Sequence, residues 1–371
     1  MCNYEFHRQL PDHQPTRLVS LPQAANDLGL KAVYLKEEGG RLGLPSFKIL
    51  GASWGTYMAL AKVLGLAPTT GLDQLQAALR ARDWRPALYA ATDGNHGRAV
   101  ARRGAILDLP VQIFVPSGLQ SAAIQAIQRE GQSVQVCEIS GSYDEAVHTA
   151  FMASQQSPGV FIQDTASEEY EEVASVSHLR QEASQRRVDA LCQWVVQGYS
   201  TMMREIDEQL RNSPTLVVAP VGVGSLAQSV VSHYKAPGKA RTAILTVEPD
   251  TAACLHTSLW NGECAPIRTT DTIMTGLNCG TVSSIAWPIL QAGVDASLTV
   301  NDFEVHDACQ ALESEGIDAG PCGAAPLAAL YRLSYGDREE MGLDRTSTVV
   351  LLCTESKRDY DIPGTEPDTV R

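Results

Sequence analysis

Thr215-Leu-Val-Val-Ala-Pro-Val-Gly-Val-Gly-Ser-Leu226 reads as an apolar run of strand length that passes through two glycines into a helix reaching Tyr234. A continuously apolar strand is one covered on both faces, and a strand that turns at once into a helix is half of a parallel crossover. The same grammar recurs along the chain. Ala87-Leu-Tyr-Ala-Ala91 ends in Thr92-Asp-Gly-Asn-His-Gly-Arg98 before a helix from Ala99. Val111-Gln-Ile-Phe-Val-Pro116, a helix over 119–131, a strand over 133–139, a helix from Tyr143 to Gln156 and a strand over 159–163 follow. Downstream, Arg241 to Glu248 is a strand, Asn301 to Glu315 a helix with an Asx cap, and Thr346 to Thr354 the last strand. This alternation predicts an α/β protein with doubly wound parallel sheets. Residues 1–30 read as an irregular arm with a short helix at Leu21–Leu28, and the polar tail after Ser356 reads as loose.

At 371 residues the chain suits about two domains. A hydrophobic content of 44% against 19% charged residues is that of a globular protein. The net charge of −14 argues against nucleic acid as a partner, because phosphate binding needs a basic face. No stretch approaches the ~20 apolar residues of a membrane span. The opening residues lack an apolar signal core, and the nine cysteines show no CxxC spacing. Together these point to a cytoplasmic protein with reduced thiols and no metal module. Whether Cys254 and Cys279 pair is left open by the sequence.

Lys48, in Pro45-Ser-Phe-Lys-Ile-Leu-Gly-Ala52, is the residue that stands out chemically. It falls where a loop becomes an apolar helix running to Leu66. A cation gains nothing at the positive end of a helix, and burial there favours the neutral, nucleophilic amine that forms a Schiff base with an aldehyde. The Gly222 to Leu226 turn offers backbone amides at a helix start, which suits a phosphate; it lacks the ending of a Walker loop and fails the dinucleotide fingerprint at Ala227. Read alone, it is equally a tight strand-to-helix turn. Thr92-Asp-Gly-Asn-His-Gly97 brings amides, a carboxylate, an amide side chain and an imidazole into six residues. Asp93 there is a candidate acid or base, and His96 reads as a residue that positions the loop. Asp164 sits at the carboxyl end of a strand, where α/β sheets place ligands and where helix caps also occur. Glu168, Glu169, Glu171 and Glu172 read as a solvated helix start, and Ala174 to Cys192 as an exposed helical or disordered insertion rather than core.

Taken together, Phe47-Lys-Ile-Leu-Gly-Ala-Ser53, Ala91-Thr-Asp-Gly-Asn-His-Gly-Arg98, Gln163-Asp-Thr-Ala166, Gln197-Gly-Tyr-Ser-Thr-Met202, Pro220-Val-Gly-Val-Gly-Ser-Leu226, Gly276-Leu-Asn-Cys-Gly-Thr281 and Cys353-Thr-Glu355 resemble fold-type II pyridoxal-phosphate enzymes. They are nearest in wording to the diaminopropionate ammonia-lyase family, over about residues 14–356. The resemblance implies two doubly wound domains with pyridoxal 5′-phosphate in the cleft between them. It puts a large cofactor-binding domain at 1–48 and 160–371, with the insertion at about 174–192, and a small substrate-binding domain at 49–159. Lys48 would hold the cofactor, Asn95 would bond its 3′-oxygen, Gly222, Val223, Gly224, Ser225 and Leu226 would cradle its phosphate, and Thr354, rather than Cys353, would face its ring nitrogen. Thr92, Gly94 and His96 would receive a substrate carboxylate, with Lys48, Asp93 and Asp164 as the proton-handling groups. The implied reaction is α,β-elimination on 2,3-diaminopropionate, a small amino-acid substrate, to pyruvate and ammonia, by a homodimer. A serine, threonine or 3-hydroxyaspartate dehydratase and a β-replacement synthase are the alternatives on the same scaffold; intact Lys48, Asn95 and glycine turn speak against a non-catalytic paralogue. The insertion, and Ser356 where the family has glycine, are the departures.

Overall fold

The computed structural model describes residues 1–92, 94–141, 143–156, 159–165 and 178–364. In chain order the first elements are α1 (Asn3–His7), β1 (Leu18–Ser20), α2 (Pro22–Leu28), β2 (Ala32–Glu37), α3 (Lys48–Leu64), α4 (Leu72–Arg80) and β3 (Ala87–Ala91). Next come α5 (Asn95–Leu107), β4 (Val111–Pro116), α6 (Ser121–Gln128), β5 (Val134–Ile139), α7 (Tyr143–Gln155), β6 (Gly159–Phe161), α8 (His178–Gln209) and β7 (Leu216–Pro220). The chain continues with α9 (Ser225–Tyr234), β8 (Ala243–Pro249), α10 (Cys254–Asn261), α11 (Trp287–Gly293), β9 (Ala296–Val300), α12 (Asp302–Ser314), α13 (Pro321–Arg332), α14 (Tyr335–Glu340) and β10 (Thr348–Cys353).

The chain divides into two compact units. The first comprises Met1–Gln14, Leu42–Leu44 and Lys48–Thr201. Its sheet is all parallel in the order β5-β4-β3-β6. The strands are apolar because both faces are covered: Leu88, Ala90, Val111, Ile113 and Val115 are all buried. The order contains one reversal. The chain walks outward from β3 to β4 to β5 and then returns to the other side of β3 with β6, so the switch point lies between β3 and β6.

The second unit comprises Pro15–Arg41, Pro45–Phe47 and Met202–Arg371. Its six-stranded sheet runs β1-β2-β10-β7-β8-β9, parallel except for β1. Here the chain walks from β7 to β8 to β9 and returns with β10 beside β7, which places the switch point between β7 and β10. A core of Val33, Leu35, Val218, Leu245, Val349 and Leu351 packs against α12 and α13. Asn301 and Glu304 close a capping box at the start of α12.

The second unit boundary, at 201/202 inside α8, differs from the expected 159/160, and Lys48 groups with the smaller sheet. The reason is pairing and packing: β6 hydrogen-bonds β3, and the first part of α8 lies against α3 so closely that a Cβ on Gly198 would sit 2.6 Å from the Leu50 carbonyl oxygen. The arm contains α1 and the edge strand β1, both too short to show periodicity. From His178 onward the expected insertion is helical, as part of α8, and at its end Cys192 is buried rather than exposed. Residues 174–177 and the acidic run 168–172 lie outside the described residues. The tail is not loose at its start: the Lys357 amide donates to Asp318, the Arg358 guanidinium to the Ile273 carbonyl, and the Tyr360 hydroxyl pairs with His306.

A buried charge cluster pins the loop after β2. Arg41 donates to both oxygens of Glu205, at 2.6 and 2.7 Å, and to both oxygens of Glu38, at 2.8 and 2.7 Å. Lys36 Nζ lies 2.8 Å from Glu205, and all four side chains are fully buried. Two cations and two anions balance, so removing one strands a buried charge. Glu205→Leu is expected to cost about 3–5 kcal/mol of folding stability, measurable as a lower denaturant midpoint.

Candidate active site

Each unit places functional side chains at the carboxyl ends of the strands flanking its switch point, where backbone ends rather than side-chain-covered faces meet the solvent. In the first unit β3 delivers Thr92 and β6 delivers Gln163 and Asp164. The strands are held at these ends by the Ile162 amide donating to Tyr89 and by the Ala91 amide donating to the Gln163 side chain, 3.1 Å. Thr92 is buried, and its hydroxyl accepts the amides of Gly94 (2.8 Å) and Gly97 (2.9 Å), folding the turn into α5. The Gly94 amide expected to meet a carboxylate is thus used within the turn. Gly94 itself has φ +145°, a conformation that favours glycine.

His96 is buried, and its Nε2 lies 2.8 Å from the Ile162 carbonyl. A carbonyl only accepts, so Nε2 carries the proton and Nδ1 is a buried acceptor with no partner among the described residues. Burial, opposed by Asp164 and reinforced by Lys48, pushes the imidazole down from its ordinary value. The neutral ring thus ties α5 to the end of β6. Asn95 opens α5. Asp93 lies outside the described residues.

Lys48 begins α3, and its Nζ is 2.5 Å from Asp164 Oδ2. The Tyr199 hydroxyl, from α8, donates to the same oxygen at 3.1 Å. Asp164 is buried, and burial works against its charge; the Lys48 ammonium and the hydrogen bonds from Lys48 and Tyr199 outweigh that and hold the carboxyl well below the usual range. Tyr199 and Cys192, both buried near this carboxylate, were quoted only as motif or insertion residues in the sequence. No local signal marks a helix face for which Asp164 is the neighbour.

In the second unit the Gly222–Leu226 turn follows β7, and Thr354 follows β10, on the two sides of the switch point. Gly224 has φ +91°, and a Cβ there would lie 2.8 Å from Leu290 Cδ1; at Gly222 it would lie 3.0 Å from the Gly276 carbonyl oxygen. Only glycine fits this turn, which ends on the amide-bearing start of α9. The fit to a phosphate is the expected one. The Thr354 hydroxyl is buried with no partner among the described residues. A strand alternates its side chains, so Cys353 points instead into the core, packing on Gly323. Thr354 lies outside that core cluster. The Thr354 carbonyl accepts the amide of Phe47, the residue before Lys48 (3.3 Å), and Ser46 bridges to Glu355. These features fit a phosphorylated pyridine ring.

The family profile described as "Pyridoxal-phosphate dependent enzyme" matches residues 10–355. The chain belongs to this family. Its cofactor is therefore pyridoxal phosphate, and its parallel-sheet fold is the fold-type II architecture. The chain is 30% identical to the diaminopropionate ammonia-lyase of Salmonella typhimurium, over 96% of this chain and 89% of the relative. It is 28% identical to that of Escherichia coli K12, over 96% and 87%. The crystal structure of the Escherichia coli diaminopropionate ammonia-lyase in complex with D-serine superposes with a TM-score of 0.80, at 26% identity, covering 95% of this chain and 87% of that one. Maize serine racemase, at 20% identity and a TM-score of 0.73, shares the fold.

Cys254 and Cys279 are both reduced thiols beside the glycine turn: Cys254 Sγ lies 3.6 Å from the Gly222 carbonyl, and a Cβ on Gly222 would lie 3.2 Å from Cys279 Sγ. Beneath Cys254, Glu248 of β8 accepts the Leu255 and His256 amides at 2.8 and 2.7 Å, yet burial pushes its carboxyl up to about 7. A raised carboxyl favours the protonated folded state, so its contribution is complete below the unfolded value and is lost as pH rises through about 7. Relative to wild type, Glu248→Gln should remove a fall of up to ~1.4 kcal/mol per pH unit over that window, read by denaturation at a series of pH values.

Proposed function

We propose that this enzyme eliminates the β-amino group of 2,3-diaminopropionate, yielding pyruvate and two ammonia molecules after hydrolysis. The observation that carries the reading is the buried Asp164 carboxylate on the Lys48 amine. A cationic β-ammonium needs an anionic partner that keeps its proton in place until it leaves as neutral ammonia; a neutral β-hydroxyl needs no such partner. The likeness to the Salmonella and Escherichia coli lyases supports the same substrate.

Bound pyridoxal phosphate supplies the electron sink for negative charge at the substrate Cα. The protein supplies the rest. Lys48 would hold the cofactor and would take the Cα proton from its own side; Asp93 is assigned the opposite side. Asp164 binds the β-ammonium and handles its proton. The amides from Gly222 to Leu226 would hold the phosphate, and Asn95 would meet the 3′-oxygen. The Thr354 hydroxyl would face the ring nitrogen as a neutral partner, which would leave that nitrogen unprotonated and suit elimination over transamination. Thr92 and His96 shape the turn that receives the substrate carboxylate. On the family resemblance the enzyme works in the cytoplasm as a homodimer. Among the described residues no helix is long and apolar enough to cross a membrane.

Purified enzyme with pyridoxal phosphate is expected to show the visible absorbance of a lysine-bound cofactor, absent in Lys48→Ala, and to release pyruvate chiefly from diaminopropionate. Asp164→Asn should keep the absorbance and lose roughly 10²–10⁴-fold in turnover, the range for a positioned acid–base group. Pyruvate released faster from serine or threonine than from diaminopropionate would move the assignment to a hydroxy amino acid dehydratase.

A further inference from the structure

The motif Gln197-Gly-Tyr-Ser-Thr-Met202 has no role in the reaction as assigned, yet the structure carries its tyrosine to the centre of the site. Tyr199 is fully buried, and its hydroxyl reaches the Asp164 oxygen that also receives Lys48. Its ring lies against α3 at Gly51, where a Cβ would come within 2.5 Å of Tyr199 Cε1. One helical turn earlier, Val195 fills the space over Gly55, where a Cβ would meet it at 2.7 Å. Gly51 is three residues after Lys48, whose Nζ lies 6.0 Å from the centre of the Tyr199 ring. Three glycines, Gly51, Gly55 and Gly198, thus let α3 and α8 approach closely, and the crossing sets Lys48 and Tyr199 around one carboxylate. Further along the same face, Cys192 Sγ donates to the Thr165 carbonyl at 3.1 Å, so α8 grips the Asp164–Thr165 segment at a side chain and at the backbone.

We propose that Tyr199 is the positioning residue of this site: its hydroxyl aims the Asp164 carboxylate at the β-substituent and thereby selects a β-amino over a β-hydroxy substrate. The inference rests on the elimination assigned above and names what makes it selective. Lys48 must leave Asp164 to bond the cofactor, and the pair is broken whenever it does. Tyr199 is under no such demand and can hold Asp164 throughout. Its hydroxyl stays a donor, because burial and the adjacent Asp164 charge push its ionisation far above the ordinary range. Among the described residues, other titratable groups facing Asp164 are Lys48 from α3, His96 from α5 and Cys192 from α8. His96 is engaged with the Ile162 carbonyl and Cys192 with the Thr165 carbonyl. Tyr199 is the neutral group among them that bonds the carboxylate itself.

Tyr199→Phe keeps the ring on Gly51 and removes only the hydroxyl. In the loaded enzyme it should lower kcat/KM for diaminopropionate about 10- to 100-fold, the worth of a hydrogen bond to a charged group, largely through KM, while leaving the slower turnover of serine nearly unchanged. Equal losses on both substrates, or none, would overturn the proposal. A second readout needs no activity. In cofactor-free protein, Tyr199→Phe should lower the thermal midpoint clearly less in an Asp164→Asn background than in wild type; additive losses overturn the coupling. If wild type prefers serine, the substrate reading fails, while this cycle still decides whether Tyr199 and Asp164 act together. Should Tyr199→Phe fold poorly, 3-fluorotyrosine at position 199 keeps the ring and strengthens the donor. Retained preference for diaminopropionate then supports the proposal, and its loss overturns it.

Discussion

A carboxylate sealed from water costs several kcal/mol unless charge and hydrogen bonds compensate it, and Asp164 is such a group. Its neutralisation by Lys48 and Tyr199 explains much of the surrounding architecture. Lys48 has to open α3 on the side of Asp164, α8 has to come close enough for Tyr199 to reach, and β6 has to lie beside β3. The glycines on α3 and α8 and the tight turn through Thr92 and Gly97 meet these demands. The pair is also chemically poised. In the role proposed for Lys48, the amine that compensates Asp164 would also bond the cofactor, and turnover would then alter the charge balance of the carboxylate.

The second unit solves a different problem with the same topology. Its glycine turn gives up side chains to admit an anion, and its last strand ends in a hydroxyl held without a partner among the described residues. In the roles proposed for them, phosphate binding and neutral contact to a ring nitrogen, both groups would cost little once the cofactor is bound. The loop that precedes Lys48 is fastened by backbone pairing of Ser46 and Phe47 with Glu355 and Thr354, and farther back by the Arg41 cluster. A lysine that must exchange partners is thus borne on a backbone that is held in place.

Strand and helix positions were legible in the chain because burial on both faces of a parallel strand leaves a plain apolar signature, as in Leu216–Pro220 and Val111–Pro116. Lys48, the glycine turn and Asp164 were legible because each breaks that pattern in a place where α/β sheets expose backbone. β1 and α1 were not, being too short to show a period. Cys192 was misjudged as exposed for a related reason: a polar stretch of helix reads as solvated even when one of its faces is covered. Its neighbour Thr165 lies 27 positions away in sequence.

By itself the sequence determined the fold class and the cofactor, and it singled out Lys48, the glycine turn and Asp164 as candidates for the site, since these follow from local pattern and from the chemistry of single side chains. Tertiary structure alone decided which charges face one another. It put Asp164 on Lys48, 116 positions apart, and Tyr199 on Asp164, and it turned Thr354 rather than Cys353 out of the core. Electrostatic and hydrogen-bond energies depend on distances of a few ångströms, and those distances are set by strand order and helix crossing, which leave no trace in the spacing of residues along the chain.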